Sequence, residues 1–246
     1  MGNIFITVFY QPILNLLIFL YNTAAFKDFG VAIILLTIVI KLILWPLGKQ
    51  AIKSQKSLQD LQPKIEALKK QYADNKTELS KATMDIYKEN KVNPFSSCLP
   101  LLVQLPFLWA VYRVFRDGVN NKLDLVYPFI NKPETINTIF LGFVNLAKPN
   151  IYLAVMAGLA QFIQAKMLIT TKPVVKSEGS KDESMAAIMN KQMLYFMPAI
   201  TIFIGISLPG GLTLYWFVLT ALTALQQFIT FRKKSDPKMI EGEVIK

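Results

Sequence analysis

Between Val31 and Leu47 the chain reads VAIILLTIVIKLILWPL, a run with the composition of lipid-facing helix apart from one cation, Lys41. An apolar stretch near the ~20 residues that cross a ~30 Å hydrocarbon layer calls for a bilayer around it. Further stretches of this kind follow at 94–115, 149–169, 190–207 and 211–231. With 53% hydrophobic and 17% charged residues, the chain reads as an integral membrane protein rather than a soluble two-domain fold. The lysine needs its own reason. A charge near the middle of a spanning helix costs roughly 2.5–3.5 kcal/mol on insertion scales, so it is paired, hydrated or close enough to water to snorkel.

Charge places the loops. There are 27 Lys+Arg against 16 Asp+Glu, and the cations collect between apolar stretches: ten lysines in 49–93, four in 171–191 and five Lys/Arg after residue 231. The segment 116–148 carries four and 207–211 none. By the positive-inside rule, the segment after the first span, the third loop and the C-terminus face the cytoplasm, and residue 28 lies outside. Positive-inside topology explains the net charge of +11 more simply than nucleic acid, and no DNA partner is expected. The chain has no histidine and a single cysteine, Cys98, which removes imidazole chemistry, His-ligated metals and an internal disulfide. No GxxxxGK[ST] loop is present to cradle phosphate, and no cofactor is expected.

The pattern predicts an all-α membrane protein: a five-helix transmembrane core (29–48, 94–115, 149–169, 190–207, 211–231), an N-terminal interfacial helix within 1–28, and a cytoplasmic two-helix hairpin over 49–91. An extracytoplasmic loop spans 116–148, a cytoplasmic loop 170–189, and a basic tail 232–246. In residues 3–22, Asn3, Thr7, Gln11 and Asn15 recur every four positions on one face. That segment either lies in the outer interface or makes a sixth span with its N-terminus inside. In the hairpin, Leu58, Leu61, Ile65, Leu68 and Tyr72 form one seam and Leu79, Ala82 and Ile86 another, with Asp74-Asn75-Lys76 between them. Its first helix, about 50–73, is expected to continue the line of the first span and to bend at Pro63. Pro198 is expected to kink the fourth span, and Pro100 and Pro106 the second.

Four blocks in order then resemble the YidC-type membrane protein insertases: FGVAIILLTIVIKLILWPL with LQPKIEALKKQY, KVNPFSSCLPLLVQLPFLWAVYRVF, QMLYFMP, and LPGGLTLYWFVLTALTALQQ. The likeness covers nearly the whole chain and fits the short bacterial members that lack a large extracytoplasmic domain. It implies a non-enzymatic insertase and chaperone of the bacterial plasma membrane, acting on nascent membrane proteins without nucleotide hydrolysis. The ribosome, the Sec translocon and the signal recognition particle pathway are the further partners it implies, besides membrane lipids. It also implies that Lys41, where the family typically carries Arg, lines a hydrophilic groove open to cytoplasm and lipid. Lysine keeps the charge and loses the planar fork.

Thr37, one turn before Lys41, and Gln104, between two prolines, are the further groove candidates. Gln161 and Gln164 either join them or make interhelical hydrogen bonds. Tyr215 and Trp216 fall where the family presents aromatics to an inserting helix, and are equally ordinary interface anchors. Met185, Met189, Met193 and Met197 form a stripe that serves either client contact or packing. Arg113 and Arg116 read as snorkelling anchors. Arg232, Lys233 and Lys234 suit ribosomal RNA or anionic lipid. A small-solute transporter or channel, and a non-inserting assembly scaffold, are the alternative functions.

Overall fold

The computed structural model describes residues 2–72, 75–93, 99–119, 123–169 and 191–232. Helix α1 (Gly2–Phe5) passes through a π-helical turn, Ile6–Tyr10, into α2 (Gln11–Thr23). A second π turn, Gln192–Phe196, leads into α9 (Met197–Ser207). Each π turn stands just before a proline, Pro12 or Pro198, in the first turn of the following helix. The carbonyl four residues back, of Val8 or Leu194, lies inside the widened turn, where the proline ring has room. The kink expected at Pro198 is thus taken up as a π turn, while Pro106 stays inside α7 (Leu99–Val119).

The chain bends by 70° between α3 (Phe29–Ile43) and the stretch Trp45–Lys69, which opens with α4 (Trp45–Asp60). Leu44, at φ −85° and ψ 4°, ends α3, and Pro46 opens α4. The straight continuation expected from the first span is therefore absent. Pro63 sits harmlessly in the first turn of α5 (Gln62–Gln71), after a break at Leu61. Helix α6 (Lys76–Glu89) is capped by Asn75, whose side chain accepts from the Glu78 N–H at 3.2 Å. It lies against α5 and buries no residue.

Among the described residues three helices are long and apolar enough to cross a membrane: Ile6–Thr23, α8 (Ile151–Leu168) and α10 (Gly210–Arg232). The bent pair Phe29–Ile43 and Trp45–Lys69 makes a fourth if it is one span, and Gln192–Ser207 is a shorter apolar helix. Leu14, Leu17 and Ile18 of α2, Ile33 and Leu36 of α3 and Val111 and Val114 of α7 form a fully buried core with Tyr215. Helices α8 and α9 approach through small residues: a Cβ on Gly158 would stand 2.4 Å from Ile202, and one on Gly205 2.9 Å from Ala154.

Two residues of the N-terminal polar stripe, Gln11 and Asn15, are spent on protein. Gln11 and Asn15 both donate to the Leu125 carbonyl, at 3.2 and 3.0 Å, and Asn15 accepts from the Tyr127 N–H at 2.6 Å. Asn22 donates to the Asn131 carbonyl at 2.7 Å. A loop with little regular structure is thereby held along α2, with the carbonyls of Leu125 and Asn131 and the N–H of Tyr127 satisfied. The same loop forms an antiparallel ribbon, β1 (Ile139–Phe140) and β2 (Val144–Asn145). Its ends tie three helix starts together. Leu141 N–H donates to Asp28, the N-cap of α3, at 2.8 Å. Asn150 caps α8, accepting from the Leu153 N–H at 3.1 Å. The N–H groups of Gly210 and Gly211 donate to the carbonyls of Lys148 and Leu146, both at 2.9 Å. So α3, α8 and α10 begin at one end of the bundle.

Candidate functional site

Where α3 bends into α4, five helices (α3, α4, α7, α8 and α10) leave a cavity of about 280 Å³. Its polar lining is Lys41, Gln55, Gln104, Gln164, Thr220, Thr223, Gln226 and Gln227, and the rest is aliphatic, including Ile40, Leu44 and Leu47. Lys41 enters from the last turn of α3. Its ammonium donates to Thr223 Oγ1 at 2.9 Å, and that hydroxyl donates on to the Leu219 carbonyl at 2.7 Å. Thr223 thus orients a lone pair toward the cation by giving its proton to its own helix. Lys41 takes part in neither ion pair seen among the described residues, Lys56 with Asp60 or Lys88 with Asp85, and no carboxylate there pairs with it.

Glutamine amides make the rest of the wall. Gln226, fully buried, donates to the carbonyl of Trp45, the first residue of α4, at 2.8 Å. It packs against Gly48, where a Cβ would stand 2.8 Å from Gln226 Oε1. That Oε1 and both amide atoms of the buried Gln227 have no partner among the described residues. Such groups cost roughly 1–3 kcal/mol each when left unsatisfied, so the site favours a polar guest or water over an apolar one.

The structure sorts the sequence candidates. Lys41 and Gln104 share the cavity, and Gln164 joins them. Thr37 does not: it is fully buried and its hydroxyl donates to the Ile33 carbonyl at 2.7 Å, satisfied within its own helix. Gln161 is also elsewhere, accepting from the Thr201 hydroxyl on α9. Tyr215 is packed in the core and fully buried rather than presented at a surface, and its hydroxyl accepts from Gln104 Nε2 at 2.5 Å, which fixes that amide in the cavity wall. Trp216 is half-buried and outside the lining. Met193 is half-buried and Met197 43% exposed. Met185, Met189, Lys233 and Lys234 lie outside the described residues. Arg113 stacks over the Tyr10 ring, 5.0 Å from its centre, and Arg116 and Arg232 are exposed.

Sequence reasoning passed over Thr220, Thr223, Gln226 and Gln227. A signal was there: Thr220, Thr223 and Gln227 recur at three and four residues in an apolar helix, which puts them on one face.

Comparison with known proteins agrees with the motif reading. The family model described as 60Kd inner membrane protein matches residues 19–237. A protein of Fusobacterium nucleatum subsp. nucleatum named membrane protein insertase YidC is 35% identical over 228 residues, covering 91% of this chain and 97% of that protein. Proteins of the same name from Syntrophus aciditrophicus and Oleidesulfovibrio alaskensis are 36% and 32% identical, over 89% and 91% of this chain. Of those two the chain spans only 35% and 38% of the length.

Proposed function

Since the chain belongs to the 60Kd inner membrane protein family, and is a membrane protein insertase of the YidC type rather than an enzyme, we propose that its insertion route runs through the Lys41 cavity. The observation that carries this reading is the ammonium of Lys41, held by one neutral hydroxyl in a cavity where Gln226 Oε1 and both amide atoms of Gln227 have no partner among the described residues. A cation so placed keeps its attraction for a guest, since no carboxylate nearby among the described residues neutralises it.

In this reading α7 and the segment Gln192–Ser207 complete a five-span core in the bacterial plasma membrane. The helix starts joined by the ribbon lie outside, and α4–α6 with the C-terminus lie in the cytoplasm. A polar or acidic stretch of a nascent membrane protein enters the cavity and meets Lys41, Gln104 and Gln227. The neighbouring apolar segment partitions into lipid, gaining roughly 25 cal/mol per Å² of apolar surface removed from water. That partitioning supplies the drive, so no nucleotide is consumed. Trp216, Met193 and Met197 are proposed as apolar contacts along the path, Met189 extending the stripe. The lysines of 49–93 and Arg232 are proposed to meet anionic lipid or ribosomal RNA.

The test is insertion of a short client with an acidic tail into vesicles containing the purified protein, with no nucleotide added, read by protease protection. Protection above that of protein-free vesicles is expected. Equal protection in both would sink the reading.

A further inference from the structure

The loop that joins the helix starts has two parts of opposite chemistry. Asn131, Lys132, Glu134 and Thr135 are polar and exposed. The ribbon turn instead exposes Leu141 by 59% and Phe143 by 77%. Leu141 sits at φ +51°, a left-handed conformation in which a bulky side chain is strained and Gly or Asn would be relaxed. The leucine side chain is thus held at the tip at a conformational cost.

The turn is also fixed in height. Leu141 N–H donates to Asp28 Oδ2, and Asp28 Oδ1 accepts from the Val31 N–H in the first turn of α3. The Phe140 ring lies against Gly30, where a Cβ would come within 2.1 Å of it. Phe26, two residues before Asp28, is 92% exposed. Lys27 and Lys148, both exposed, flank the apolar residues.

We propose that Leu141, Phe143 and Phe26 form a wedge inserted among the acyl chains of the leaflet beside the starts of α3, α8 and α10, with Lys27 and Lys148 at the phosphates. Apolar tips bounded by cations match an anionic lipid surface in order of depth. Three side chains also fall far short of the ~800 Å² per partner that a stable protein interface buries. Through Asp28 and Gly30 the wedge sets the depth of α3, and with it the depth of Lys41. This rests on the membrane orientation proposed above.

The test places nitroxide labels at Phe143→Cys, at Phe26→Cys and, as a water reference, at Glu134→Cys, each in a Cys98→Ser background. The full chain is reconstituted in vesicles of phosphatidylcholine and phosphatidylglycerol, and collision rates with oxygen and with a water-soluble nickel chelate are compared. At 143 and 26 oxygen should exceed nickel several-fold, with the reverse at 134. Nickel access at 143 equal to that at 134 overturns the wedge. Weak collisions with both reagents at 143 overturn it too, since they mean a protein contact. An inverted orientation shows separately, as an impermeant maleimide reaching Glu134→Cys from the opposite side. Insertion is not read, so the insertase reading stands on its own test.

Discussion

Lys41 was legible from sequence because its cost inside an apolar run demands a cause. Thr223 was not, because a threonine in a helix ordinarily bonds the carbonyl four residues back, and Thr223 does so as well. Only the packing of α10 against α3 shows that its oxygen also receives the ammonium. Removing that acceptor leaves the cation unheld, and hydrogen bonds to charged groups contribute about 1.5–3 kcal/mol. Thr223→Val is therefore expected to slow insertion of an acidic-tailed client about tenfold, while Thr223→Ser stays near wild type. Lys41→Ala should be as impaired as Thr223→Val, with Lys41→Arg tolerated because charge matters more than fork geometry. Initial rates with clients of graded acidity measure this. Equal rates for all variants would remove Lys41 from recruitment.

At the scale of elements, helix existence was readable from apolar periodicity, but the joint between α3 and α4 was not. Pro46 is visible in the sequence, yet a proline in the first turn of a helix is compatible with a straight chain or a bent one. The decision is made from 181 residues away, by Gln226 donating to the Trp45 carbonyl. Gly48 is part of the same joint, because only a glycine lets that amide approach. Gln226→Leu should therefore loosen the 70° bend. Distances between spin labels on α6 and on α8 are expected to broaden relative to wild type; an unchanged distribution would mean that packing alone holds the angle. The ribbon gives a second case. Gly30→Ala drives a methyl into the Phe140 ring, and overpacking of this kind costs about 1–3 kcal/mol. A lowered melting temperature in detergent is expected, and Gly30→Ala combined with Phe140→Ala should recover part of the loss.

For the molecule as a whole, the loop charges and the order of apolar runs carried the broad reading, whereas the use of the N-terminal polar face did not show. Gln11 and Asn15 mark an amphipathic helix whether the polar side meets water or a loop, and pairing with residues 110 or more away cannot be read from periodicity. The same ambiguity between water and protein governs Lys41, and salt separates the two cases. Exposed lysines of 49–93 act across solvent, where the Debye length shrinks from about 30 Å at 0.01 M to about 3 Å at 1 M ionic strength. A cation set in a cavity between five helices is screened far less. Raising salt should therefore slow insertion of an acidic-tailed client into anionic vesicles in wild type and Lys41→Ala alike, leaving their ratio nearly constant. Replacing several exposed lysines of α6 by glutamine should flatten the salt dependence without changing that ratio. If the ratio instead falls toward one at high salt, Lys41 is behaving as a surface charge that snorkels to the interface, and the cavity does not recruit the client electrostatically.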